Sequence, residues 1–214
     1  MRAVSKSEKF FTEEEREILK VNTQEVESRT IGEIVVMVVD RSDHYIEAEV
    51  LGGVLLGGLL SLILTLLFFH ATVWSYVPLS FLFFFPCRYL FQRIDVLKRF
   101  FIGIRRKEEA VRLRAERAFF EKGLYKTKKN TGVLFFLSLL ERKVWVLADS
   151  GIYEKMDQET LNGYANEVSR GIREGRACDA LSHSIQGIGT LLSKHFPMTP
   201  DDTDELPDDV MTEE

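Results

Sequence analysis

From Val50 to Cys87 the chain carries no Asp, Glu, Lys or Arg, and this run constrains the fold more than any other feature. A helix needs roughly 20 apolar residues to cross about 30 Å of hydrocarbon, so the run is long enough for two passes joined by a tight turn. The first span is expected near Val50 to Phe69 and the second near Trp74 to Phe91. The turn falls in "HATVWSYVP", His70 to Pro78, whose Trp74 and Tyr76 suit the membrane–water border. The second span has the shorter uncharged part and contains Pro78 and Pro86, so a re-entrant hairpin is the competing reading. Arg88 lengthens the span if its cation snorkels to the headgroups.

Charge then sets the orientation. Between Arg88 and Lys107, Arg88, Arg93, Lys98, Arg99, Arg105, Arg106 and Lys107 stand against the single acid Asp95. By the positive-inside rule that flank is cytoplasmic, and an even number of spans places both termini there too. The expectation is a multi-pass protein of the inner (cytoplasmic) membrane. No basic stretch at Met1 precedes an early apolar run, so a signal peptide is not expected. Basic residues clustered beside a membrane are accounted for by lipid headgroups, and nucleic acid is not an expected partner. Cys87 and Cys178 show no CxxC pairing, which fits a reducing compartment.

Outside the apolar run the sequence alternates helix and strand signals. Thr12 followed by Glu15 reads as a capping box that opens a helix through about Glu27. Gly32 marks a turn, and Ile34 to Val39 is a continuous apolar run of the kind a sheet buries on both faces. "RYLFQRIDVLKRFFIGI" interleaves cations with Leu90, Phe91, Ile94, Leu97, Phe101 and Ile104, as in a helix leaving the membrane along its surface or in a plain stalk continuing the second span. A charged helix follows and is closed by Gly123. Gly132 to Leu139 and Lys143 to Ala148, parted by Glu141 and Arg142, read as a β-hairpin with both strands covered on both faces. Two amphipathic helices carry the stripes Leu161, Tyr164, Val168, Ile172 and Leu181, Ile185, Ile188, Leu192.

The end of the chain holds eight acids and no base, so with a net charge of −5 overall the remainder carries +3; a solvated, disordered tail over 198–214 is expected. A lone strand at Ile34 to Val39 cannot bury both faces by itself, and its candidate partners lie beyond the apolar run. The apolar hairpin is therefore read as an insertion into one α/β domain. The expected division is 1–47 and 106–197 for the two parts of that domain, 48–92 for the transmembrane hairpin, and 93–105 for a basic juxtamembrane segment.

Four groups of residues carry candidate chemistry. Asp149, Glu154 and Asp157 follow a strand and are candidate calcium ligands, since that ion takes several carboxylate and carbonyl oxygens. Their competing reading is structural, with Asp149 capping a turn and Asp157 capping the next helix. Asp149 with Lys126, Lys128 or Lys129 sketches a phosphatase site, although no P-loop, GxSxG or paired-metal spacing accompanies it. His44, His70, His183 and His195 show no metal-binding spacing. Gly53, Gly57, Ser61 and Thr65 recur every four residues and form a small-residue ridge, which packs against the second span, a second copy or another membrane protein.

Taken together, "RTIGEIVVMVVDRSDHYIEAE", "NTGVLFFLSLLERKVWVLADSGI" and "GIREGRACDALSHSIQGIGTLLSKHFP" resemble the TPM-domain family. That family includes a thylakoid-lumen acid phosphatase, a photosystem II repair factor and many bacterial membrane proteins. The similarity is greatest to a bacterial branch ending in "HFP" and then "DELPD", here His195 to Pro197 and Asp204 to Asp208. The resemblance implies an α/β/α sandwich, here interrupted by the transmembrane hairpin. For function it implies either calcium binding or phosphatase activity, as in some members, or an accessory or assembly role, as in others. The "DNG" usual before the second strand reads Lys129, Asn130, Thr131, Gly132, which removes an acid from any inherited metal site. The expected function is a membrane-held binding or assembly module, with a membrane-tethered phosphate-monoester hydrolase as the alternative.

Overall fold

A computed structural model describes residues 5–68, 73–127, 129–199 and 206–213. The chain divides into two compact units, one built from residues 1–42 and 108–214 and the other from Asp43–Lys107.

The first unit is built on a four-stranded sheet in the order β3-β2-β1-β4. Its strands are β1 (Glu33–Val39), β2 (Gly132–Ser138), β3 (Lys143–Ala148) and β4 (Met211–Glu213). β1 pairs in parallel with β2 from Glu33 opposite Gly132 to Val39 opposite Ser138, and β3 returns antiparallel to β2. All residues of β1 and β2 are buried, which is the reason both read as unbroken apolar runs.

Ile34, Val36, Val38, Val133, Phe135 and Leu137 point to one face of the sheet. There they meet α1 (Glu13–Glu27), α7 (Gln158–Arg173) and α8 (Ala177–His195), whose inward residues include Leu19, Leu161 and Ile188. Val35, Met37, Leu134 and Phe136 point to the other face, onto Val111, Ala115 and Phe119 of α5 (Ile104–Glu121). The result is a mixed α/β fold with a sheet between helices. Each fully buried Val, Leu, Ile or Phe contributes about 1.5–3 kcal/mol, so the two central strands dominate the stability of the unit.

Two expectations need correction here. β3 is not covered on both faces: Val144, Val146 and Ala148 are buried, while Lys143, Trp145 and Leu147 are only half covered. It is the outer strand of the sheet, and an outer strand has a neighbour on one side only. Nor is the acidic tail wholly disordered, because Met211–Glu213 pairs in parallel with Met37, Val38 and Val39. Glu213 is held by ion pairs to Arg114 and to Lys122 (2.8 Å), and its carbonyl accepts from Asp40 N–H at 3.1 Å. Backbone pairing and cation contacts outweigh the solvation of this end of the tail; residues 200–205 lie outside the described residues.

The second unit is a helical hairpin of α2 (Ile46–Phe68) and α3 (Val73–Arg93), followed by the short α4 (Asp95–Phe101). Among the described residues α2 alone is long and apolar enough to cross a membrane by length and composition. α3, with Pro78 and Pro86 inside it, falls short of that measure. The turn expected at His70 lies partly outside the described residues, since 69–72 are not among them.

Within this unit the small side chains of α2 turn inward. The Gly53 Cα lies against the backbone of Arg88 and that of Gly57 against the backbone of Phe83 and Phe84, while Ser61 and Thr65 are buried in line with them. The ridge thus packs on α3. Three ion pairs tie the base of the hairpin. Lys98 Nζ meets Glu49 Oε1 at 2.8 Å with both side chains buried, and Arg106 binds Asp43 and Glu47.

Candidate functional site

Strand direction decides where ligand-binding chemistry belongs. In sheets with parallel strands, ligands sit beyond the carboxyl ends of those strands. Asp149 follows β3, but β3 runs antiparallel, so Asp149 lies at the amino ends of β1 and β2, where Val133 is paired with Ala148. Its N–H donates to Gly132 O at 2.9 Å, and the Gly151 N–H donates to Asn130 O at 3.1 Å, so the loop after β3 is pinned to the loop before β2.

The acids expected as calcium ligands are placed as helix caps. Asp149 Oδ1 accepts from Ser150 N–H at 2.6 Å at the start of the short α6 (Ser150–Tyr153). Asp157 Oδ1 accepts from Thr160 N–H at 2.8 Å and caps α7, and the Thr160 backbone and hydroxyl hold its carboxyl below the ordinary value. Glu154 is exposed at the C-terminal end of α6. Among the described residues no three His, Cys, Asp or Glu side chains are grouped so as to hold a metal ion. Asp149 Oδ2 is buried and has no hydrogen-bond partner among the described residues. Lys129 is on the adjoining loop, Lys126 lies in a 3₁₀ turn with its ammonium 5.6 Å from the Tyr125 ring, and Lys128 lies outside the described residues.

Two polar groupings escape a reading of the sequence. At the amino end, Glu27, Glu33 and Asp208 line a pocket of about 220 Å³ with Gln24, Thr30 and Met198. Burial, together with a hydrogen bond to the Asp208 carboxyl, pushes Glu27 up to about 9. At neutral pH Glu27 is therefore a protonated acid that accepts from Ile34 N–H at 2.8 Å, and a neutral carboxyl is a poor calcium ligand. At the carboxyl end, Ser42 Oγ donates to Ser138 Oγ at 2.8 Å and Ser138 Oγ donates to Glu141, while Ser7 N–H donates to Asp40 Oδ1 at 2.6 Å. This network links the segment before α1, the end of β1 and the β2–β3 turn. The one sequence signal for either group is a polar residue next to a buried strand end.

The histidines stay dispersed: His183 pairs with Glu167 at 2.6 Å, His195 ends α8, and His70 is outside the described residues. Just beyond His195, Phe196 O accepts from Thr30 Oγ1 at 2.6 Å, so the "HFP" segment closes the start of β1.

Comparison with known proteins agrees with this architecture. Residues 100–191 match the family model of the TPM domain. The chain is also similar to the BA42 protein of the psychrophilic bacterium Bizionia argentinensis, known from an NMR structure, with a TM-score of 0.60 over 100% of both chains at 19% identity. At that identity the likeness concerns the fold. No curated protein matches the sequence.

Proposed function

We propose that this chain, which carries a TPM domain, is a protein of the inner (cytoplasmic) membrane whose two-helix hairpin holds the domain on the cytoplasmic side as a binding or assembly module. The observation that carries the reading is the inverted pattern of the hairpin. Gly52, Gly53, Gly57, Ser61 and Thr65 are inside, while Leu55, Leu59, Leu62, Ile63, Leu66 and Leu67 face outward. Small residues inside and large apolar residues outside suit a surround of lipid, where close helix approach drives association. Trp74, 92% exposed at the start of α3, suits the border of the bilayer. The basic segment after α3 supports the cytoplasmic orientation.

The polar groups at both ends of the sheet mostly cap helices or join elements, an arrangement suited to holding a surface in shape. The domain's partner is another membrane protein or a second copy, reached from the bilayer that both share. Reporter fusions test the topology: both termini should read cytoplasmic, and a periplasmic signal from the C-terminus rejects two spans. Affinity capture of the detergent-solubilised protein tests the module, with a stoichiometric partner expected.

Asp149 Oδ2, buried and without a hydrogen-bond partner among the described residues, favours a second reading as a phosphate-monoester hydrolase. Turnover of a generic monoester that disappears in Asp149→Ala supports it; equal and negligible rates in both proteins reject it.

A further inference from the structure

The burial pattern of α4 is reversed from that of a helix in water. Lys98 is 1% exposed and paired with Glu49, whereas Val96 is 54%, Phe100 82% and Ile104, just past the helix end, 72% exposed. Burying an ion pair strips two charges of water, a desolvation cost that the pairing must return, and such a helix gains little if its large apolar side chains are left in water. Both halves of the pattern become favourable when the outward face lies in an apolar medium.

The inner face is firmly built. Phe101 meets Phe91 edge-on at 5.2 Å, Phe91 packs over Gly52, and Lys107 Nζ donates to Arg99 O at 2.8 Å. The outward face of α4 is therefore held in place. Exposed cations flank it: Arg93, whose Nε donates to Tyr89 Oη at 3.1 Å, and Arg105.

We infer that α4 is an interfacial foot, with Val96, Phe100 and Ile104 seated at the acyl-chain border of an anionic bilayer and Arg93 and Arg105 at its headgroup phosphates. The inference rests on the membrane reading of the hairpin and adds a lipid class and a second point of contact. An anionic bilayer is the occupant because exposed apolar residues run on along the chain from Leu90 and Ile94 to Val96, Phe100 and Ile104 with the exposed cations Arg93 and Arg105 among them, the composition of amphipathic helices at charged membranes. Glu49 and Lys98 act as positioning residues that fix the foot to the base of α2.

The test uses full-length protein with Cys87 and Cys178 replaced by Ala and one cysteine introduced at Phe81, Phe100 or Glu159, labelled with a polarity-sensitive fluorophore. Each is reconstituted in phosphatidylcholine vesicles with or without phosphatidylglycerol. With phosphatidylglycerol, the label at 100 should be quenched by spin-labelled lipid and show a severalfold smaller iodide-quenching constant than the label at 159. That protection should fall without phosphatidylglycerol and in R93Q/R105Q. A label at 100 as open to iodide as that at 159, with the label at 81 protected, overturns the foot and leaves the inserted hairpin intact. A label at 81 open to iodide overturns both. Equal protection at 100 in the two lipid mixtures overturns the anionic preference. Protection that rises with protein density and is insensitive to spin-labelled lipid assigns the face to a second copy and overturns the inference.

Discussion

Glu27 ends α1, and its Oε1 is engaged by the Ile34 N–H at 2.8 Å. Burial and the Asp208 carboxyl raise it from the ordinary 4.5 to about 9, so between these values the folded protein holds a proton that the unfolded chain has released. Stability must then fall as pH rises through that window and level off above it. Glu27→Gln, which keeps an acceptor for Ile34 and offers a donor to Asp208, should match the parent near the bottom of the window. Near its top the variant should be more stable by about 1–2 kcal/mol, the half-buried site screening part of the full linkage value. Thermal unfolding in detergent across pH reads the difference, and a gap that does not grow with pH rejects the assignment. Thr12 is a simpler case. Its hydroxyl accepts from Glu15 N–H at 3.2 Å while Glu15 reaches back to Thr12 N–H at 2.8 Å, so Thr12→Ala should cost about 1 kcal/mol. The capping box was legible because its members lie within four residues. The Glu27–Asp208 contact was not, because it joins the end of the first helix to the tail.

At the scale of elements, α2 and α3 meet where a side chain has no room. A Cβ at Gly57 would stand 3.1 Å from the Phe83 and Phe84 backbone, which cannot give way as a side-chain tip can. Gly57→Leu should therefore part the helices and cost about 1–3 kcal/mol or more, read as a lower melting temperature in detergent and slower cross-linking between cysteines on α2 and α3. The other open question is the edge of β1. Removing the tail from Met211 onward unpairs Met37, Val38 and Val39 and frees the Arg114 and Lys122 partners. An apolar strand edge left bare promotes association, so the truncated protein should aggregate at lower concentration in light scattering than the full chain. α1 was legible from its capping box, β1 and the β2–β3 hairpin from apolar runs bounded by turn residues, and α7 and α8 from periodicity. β4 was not, because three residues in an acidic tail carry no period and their pairing is set by a neighbour far away in sequence. The half-covered face of β3 likewise depends on its rank in the sheet. The position of Asp149 at the amino ends of β1 and β2 follows from the hairpin itself, whose second strand ends where the first begins.

For the whole molecule, the division at Ser42 and Glu108 makes a direct claim about independence. Replacing Asp43–Lys107 by a flexible linker should leave a soluble domain that melts cooperatively with a mixed α/β circular-dichroism spectrum. Persistent insolubility, or a spectrum without cooperative melting, rejects the reading of the hairpin as an insert. The same division has a temporal side. β1 and β2 are neighbours in the sheet, yet the whole hairpin is translated between them, and β4, the other neighbour of β1, is made after every other strand. Long-range pairings of this kind are slow to form because the intervening chain must first be brought together. While the ribosome is still delivering the hairpin, Ile34 to Val39 has no strand to join and must be kept from other nascent chains. Synthesis thus imposes an order, with the apolar helices made before the central pair of strands can join and the last edge closed only after Glu213 has emerged.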